Sequence, residues 1–176
     1  MKSKTAGDDC MVFSGIVNNN AAQVFKDFGA ALPKAKLYGP DGVAATTFAS
    51  PKQGIPANVA ARTKVTIATL SPDQYPPDGR AFFDDYTRRY GDKNPNPYAI
   101  YGYEAMALAL DAIKRSKTGE RPDVIKALFA TKDRQSVLGT YSIDKNGDTS
   151  LSDYGVYSIK NGNLVFDQTI KAQSAH

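Results

Sequence analysis

The chain has 176 residues, 41% of them hydrophobic and 23% charged, with 22 basic side chains against 18 acidic ones. That is ordinary globular composition, enough for one large domain or two small ones, and the basic excess is spread with no run longer than Arg88-Arg89, which argues against a nucleic-acid surface. No apolar stretch approaches the roughly 20 residues that cross a bilayer, the opening MKSKTAGDD reads as neither a membrane anchor nor an export signal, and the single histidine, His176, rules out a histidine triad or a multi-histidine zinc site within these residues.

In chain order, residues 9–14 (DCMVFS) form a short apolar run ending at Gly15, the pattern of a parallel strand buried on both faces, with Cys10 expected as a buried structural thiol. Asn18, Asn19 and Asn20 offer N-caps for a helix in which Ala21, Val24, Phe25 and Phe28 repeat at helical spacing. Residues 35–38 are a second strand, closed by the turn Gly39-Pro40-Asp41-Gly42. Residues 43–62 read as a short helix and a loop, and residues 64–70 (KVTIATL) as a third strand. The proline-rich stretch 71–79 then admits neither helix interior nor central strand, which sets a lobe boundary there.

Three helices follow. The first, residues 80–90, puts Phe82, Phe83, Tyr86 and Tyr90 on one edge and pairs Asp84 with Arg88 and Asp85 with Arg89 on the other. The second, residues 98–116 (YAIYGYEAMALALDAIKRS), carries only a narrow polar line of Glu104, Asp111 and Arg115 and is expected to be deeply buried. The third, residues 122–131, opens with Pro122. The end is β-rich: residues 137–144, residues 154–160, the two-residue turn Asn161-Gly162 and residues 163–167, with a mobile tail after them.

Few motifs carry chemistry. Asp144-x-Asn146-x-Asp148 has the early spacing of a calcium loop, but Gly155 stands where the bidentate glutamate belongs, so it reads as a turn and no metal is expected. No phosphate-cradling glycine loop is present, no histidine is placed to activate Ser14 or Ser50, and no cofactor is expected. The turn that holds Asp41 is the remaining candidate, because ligands of α/β sheets bind at the carboxyl ends of strands and a carboxylate there could pair with an ammonium group.

Taken in order, DDCMVFSG, AAQVFKDFG, LYGPDGVA, SPDQYPPDG, FFDDYTRRYG, PYAIYGYEAMALALDAIKRS, VLGTYSIDKNGD and YGVYSIKNGNLVF resemble the branched-chain amino-acid type of ABC-transporter solute-binding protein. The resemblance implies an α/β class of parallel sheets flanked by helices, a partial type I periplasmic-binding fold holding segments of both lobes. It implies that residues 1–70 are the later part of the second lobe, 71–147 the C-terminal part of the first, 148–167 the return strands, and 168–176 a tail. It places the acidic ligand residue at Asp41, and the ligand wall of the loop after the first strand at Ser14, Gly15 and Ile16, the isoleucine replacing a tyrosine of leucine-binding members.

An amino acid or related small molecule as ligand, a membrane permease as partner, a periplasmic or extracellular location and the absence of catalysis are further implications. A ligand sensor of the same fold remains an alternative, and a Rossmann-like enzyme is the rival of another class. The resemblance covers the C-terminal half of such a protein, so this chain is expected to bind poorly by itself. Exposed edges are expected to draw it into a swapped or intertwined oligomer unless it belongs to a longer gene product.

Overall fold

The computed structural model describes residues 7–92 and 95–172. In chain order its elements are β1 (Cys10–Val12), α1 (Ala21–Ala31), β2 (Lys36–Gly39), α2 (Thr46–Ala49), α3 (Ala57–Ala60), β3 (Thr63–Ile67), α4 (Pro77–Tyr90), α5 (Ala99–Arg115), α6 (Arg121–Phe129), β4 (Arg134–Ser136), β5 (Gly139–Tyr141), β6 (Asp153–Lys160) and β7 (Asn163–Lys171). Within the described residues they divide into two compact units, one of residues 7–69 with 153–172 and one of residues 70–92 with 95–152.

The first unit is a five-stranded sheet in the order β1-β2-β3-β6-β7. β1, β2 and β3 run parallel, joined by helical crossovers, and β6 and β7 add an antiparallel hairpin to the free side of β3. Alternation sets the packing: Met11, Leu37, Val65 and Ile67 point to the face covered by α1, α2 and α3, where Phe25, Phe48 and Val59 close the core. Phe25 meets Phe13 and Phe48 edge to face, at 5.7 and 5.0 Å between ring centroids. Arg62 ends α1 electrostatically by donating to the carbonyls of Gly29 at 3.2 Å and Leu32 at 3.1 Å, and also to that of Ala35.

The hairpin turn has the expected chemistry, with Asn161 and Gly162 at φ 52° and 78°, the pair of positive angles that matches the twist of two antiparallel strands. β7 runs on to Lys171, so residues 168–171 are strand rather than tail, because β6 begins at Asp153 and offers a partner for each of them. His176 lies outside the described residues.

β1 departs from its expected setting. It is an edge strand with one buried face, so Cys10 is exposed and Val12 is 76% exposed, and the apolar run encodes one inward residue, Met11, rather than two covered faces.

The second unit packs α4, α5 and the β4-β5 hairpin around Tyr75, Phe83, Ile100 and Val137. The run 137–144 is not one strand; the chain turns at Val137 and Leu138, with Ser136 Oγ donating to the Gly139 carbonyl at 2.7 Å. On α4 the ion pair formed is Asp85 with Arg88, three residues apart rather than four.

The sharpest departure is α5. Glu104 is 4% exposed, while Tyr103, Met106, Leu110 and Ile113 face outward; the helix is turned the opposite way from the deeply buried one that its apolar content suggested.

Replacing Phe25 with alanine should cost about 3–5 kcal/mol of unfolding free energy, because the core cannot refill the space of a ring held between two others. Urea denaturation checks this, with Val12→Thr, on the exposed sheet face, expected within about 0.5 kcal/mol of wild type.

Candidate functional site

In the first unit the carboxyl ends of β1, β2 and β3 lie along one edge, since the strands are parallel neighbours. After β1, Phe13 keeps one sheet bond, donating its N–H to the Tyr38 carbonyl at 2.9 Å. Ser14, Gly15 and Ile16 then leave the sheet. Ile16 is half exposed and extended, and it enters a single turn, Val17–Asn19, whose last side chain reaches back to accept the Ile16 N–H at 3.1 Å. Asn20, in the left-handed region at φ 59°, starts α1 without a side-chain cap, so of the three asparagines Asn19 does the capping and fixes the loop instead of the helix.

After β2, Pro40 is extended and Asp41 opens another single turn, Asp41–Val43, anchored by the fully buried Val43 and closed by the Ala44 N–H on the Asp41 carbonyl at 2.8 Å. The two loops touch. A Cβ added to Gly42 would lie 2.6 Å from the Gly15 carbonyl oxygen and 2.8 Å from Ile16 Cγ2, so glycine is what lets them meet. Gly15 and Ile16 are thereby held against the turn that the exposed residue Asp41 begins, and Ser14 lies in the same loop. At the third strand end, Thr69 is buried beside Tyr157, whose hydroxyl lies 3.3 Å from Thr69 Oγ1 and donates to the Thr69 carbonyl at 3.2 Å.

The second unit holds a charged network whose buried centre has no local signature in the sequence, since Arg134 and Tyr141 lie 30 and 37 residues from Glu104. Glu104 Oε1 accepts from Arg134 Nε at 2.7 Å and from the Tyr141 hydroxyl at 2.8 Å. Asp111 takes Arg115 at 2.7 Å and Arg134 at 3.4 Å, and Arg115 reaches on to the Ala127 carbonyl at 2.8 Å and Thr131 Oγ1 at 3.0 Å. Burial first, then the bond to the Glu104 carboxylate, pushes the Tyr141 phenol up to about 12. Beside this network, between α4, α5 and β4, is an open cavity of about 620 Å³ walled by Phe82, Tyr86, Tyr103 and Arg134.

Asp144 uses its carboxylate inside its own turn, accepting from the Asn146 and Asp148 N–H groups at 2.8 and 2.9 Å. Among the described residues no group of three His, Cys, Asp or Glu side chains is placed to hold a metal ion, and no helix is long and apolar enough to cross a membrane.

The sequence pattern of the periplasmic binding protein family matches residues 4–163. The chain belongs to that family. It is 27% identical over 163 residues to the Leu/Ile/Val-binding protein homolog 1 of Brucella abortus, an alignment covering 92% of this chain and 41% of that protein. Among solved structures it is similar to a leucine binding protein of Thermotoga maritima, at a TM-score of 0.75 and 23% identity, over 93% of this chain and 45% of that one. It is also similar to a branched-chain amino acid transporter substrate binding protein of Streptococcus pneumoniae in complex with isoleucine, at 0.70 and 21%, over 93% and 45%.

These likenesses place this periplasmic binding protein in the type I fold, in the α/β class expected of it. The chain spans about two-fifths of the length of the curated relatives it matches.

Two measurements check the buried network. Removing one partner of a buried pair strands the other, so Arg134→Met should cost about 3–5 kcal/mol in urea denaturation. Because the folded phenol titrates above its ordinary value of 10.0, Tyr141 adds stability that is complete below about pH 10 and is lost as pH rises toward 12. Ultraviolet titration of the tyrosines should lose a step near pH 12 in Tyr141→Phe, and that variant's stability should fall less steeply above pH 10 than wild type.

Proposed function

We propose that this chain supplies one ligand-gripping wall of an extracytoplasmic solute-binding component of an ABC uptake system, taking an amino acid with an aliphatic side chain. The observation that carries the reading is the convergence of two strand-end loops, where the turn opened by Asp41 sits against Gly15 and Ile16, in a chain whose family is one of solute binders rather than enzymes. The names of its relatives, Leu/Ile/Val-binding and leucine binding, support that ligand class.

Each residue type suits its part. The Asp41 carboxylate pairs with the ligand ammonium group, Ile16 offers apolar surface to an aliphatic side chain, and Gly15 and Ser14 present backbone and a hydroxyl for hydrogen bonds. An exposed carboxylate–ammonium pair is worth little in open water, so tight binding requires two lobes to close on the ligand and exclude solvent. The closed form is then what a membrane permease recognises, on the outer side of the membrane. The first lobe would be completed by residues beyond those of this chain, which therefore binds weakly by itself.

Calorimetric titration of leucine, isoleucine and valine into the full gene product tests this. Asp41→Ala should weaken the best ligand at least about tenfold, the equivalent of roughly 1.4 kcal/mol, while the 176-residue chain alone gives no measurable heat. Unchanged affinity in Asp41→Ala would remove Asp41 from the site. Full affinity in the chain alone would overturn the need for a second wall.

A further inference from the structure

The chain passes from the first unit to the second between Thr69 and Leu70. The sheet no longer holds it there, since the pairing of β3 with β6 ends at Ile67 opposite Gly155. Two tyrosines take over. The Tyr157 hydroxyl, on β6 of the first unit, donates to the Thr69 carbonyl at 3.2 Å, and the Tyr75 hydroxyl, in the second unit, accepts the Leu70 N–H at 3.0 Å. That carbonyl and that N–H belong to one planar peptide group. The peptide that joins the units is thus bonded at both ends, each time by a phenol of the unit on that side.

Both phenols are buried and seated for the task. Tyr157 meets Phe166 edge to face at 5.5 Å between ring centroids, and Gly155, two residues before it, leaves the room that the bond needs. A Cβ at Gly155 would lie 2.3 Å from the Thr69 carbonyl oxygen and 2.6 Å from Tyr157 Cε2. Tyr75 stands 5.8 Å from Phe83 in the core of the second unit. A phenol hydroxyl donates as well as accepts, so one residue type serves a carbonyl at one end and an N–H at the other. A planar peptide turns only about ψ of the residue before it and φ of the residue after it. Tyr157 restrains the first of these, at Thr69, and Tyr75 the second, at Leu70.

We propose that Tyr75 and Tyr157 are positioning residues that clamp the joining peptide, so that the unliganded protein samples few arrangements of its two units and loses little freedom when they close on a ligand. The clamp is a property of the chain by itself, whereas its effect on ligand rests on the two-lobe reading proposed above.

Amide hydrogen exchange in the full gene product without ligand, read at Leu70 by nuclear magnetic resonance, tests the clamp. Tyr157→Phe acts at Thr69, yet it should speed exchange of the Leu70 N–H at least about tenfold more than that of Val65 in the middle of β3, because a plane freed at one end turns at the other. Tyr75→Phe, which takes the acceptor from the Leu70 N–H, marks the fully released rate. A Leu70 amide that only keeps pace with Val65 in Tyr157→Phe would overturn the clamp, since two independent hydrogen bonds behave that way. Stopped-flow binding of leucine to the same proteins reads the consequence. Each variant should bind at least about threefold more weakly through slower association, with dissociation unchanged, and the double variant should be no weaker than either single one, because both act on one peptide. Unchanged association in variants whose Leu70 amide exchanges faster would overturn the part played in binding. Absence of leucine binding in the wild-type gene product would strike the ligand reading and not the clamp, which the exchange result decides.

Discussion

Parallel pairing of β1 with β2 and of β2 with β3 is the constraint from which the rest of the first unit follows. It forces each strand to be followed by a crossover, puts the crossovers of α1, α2 and α3 on the one face where Phe25, Phe48 and Val59 close the core, and delivers the strand ends to a common edge. At that edge the chain has spent its stability on proximity. Val43 is sunk fully into the core to hold a one-turn helix, and Gly42 carries no side chain so that the turn can rest on the Gly15 carbonyl. The result is that the turn opened by Asp41 rests, through Gly42, against Gly15 and Ile16 of the other loop.

The second unit solves a different problem. Burying Glu104 and most of Arg134 costs desolvation, and what recovers it is completeness: the carboxylate has two donors, and Arg115 and Arg134 share Asp111. Among the described residues no buried side-chain nitrogen or oxygen lacks a partner. The network pins α5 to the β4-β5 hairpin and to the end of α6, and in doing so it dictates which way the helix faces. Its apolar side is left outward by the same bonds that satisfy its charges.

Much of this was legible in the sequence, and the parts that were not share a cause. Local signals worked: Asn161-Gly162 made its hairpin, Gly39-Pro40-Asp41-Gly42 closed a strand, and Pro122 opened a helix. Periodicity also located α5 to within a residue at each end, but it gives two faces without saying which is inside. Glu104, Asp111 and Arg115 looked like a solvent stripe because their partners Arg134 and Tyr141 lie far along the chain. Cys10 looked buried because a compact apolar run cannot report that its strand sits at the edge of a sheet. Contact between the Gly15 and Gly42 loops was likewise a product of strand order, not of local sequence; Asp41 was a candidate from its turn at a strand end, Ser14, Gly15 and Ile16 came from resemblance, and parallel pairing explains why the two loops are neighbours.

The most direct measurement is a crystal structure of the full gene product grown with leucine. The account predicts the ligand ammonium group within hydrogen-bonding distance of the Asp41 carboxylate and the aliphatic side chain against Ile16. An amino acid bound with its ammonium group on another acidic residue, away from the carboxyl ends of β1 and β2, would contradict it.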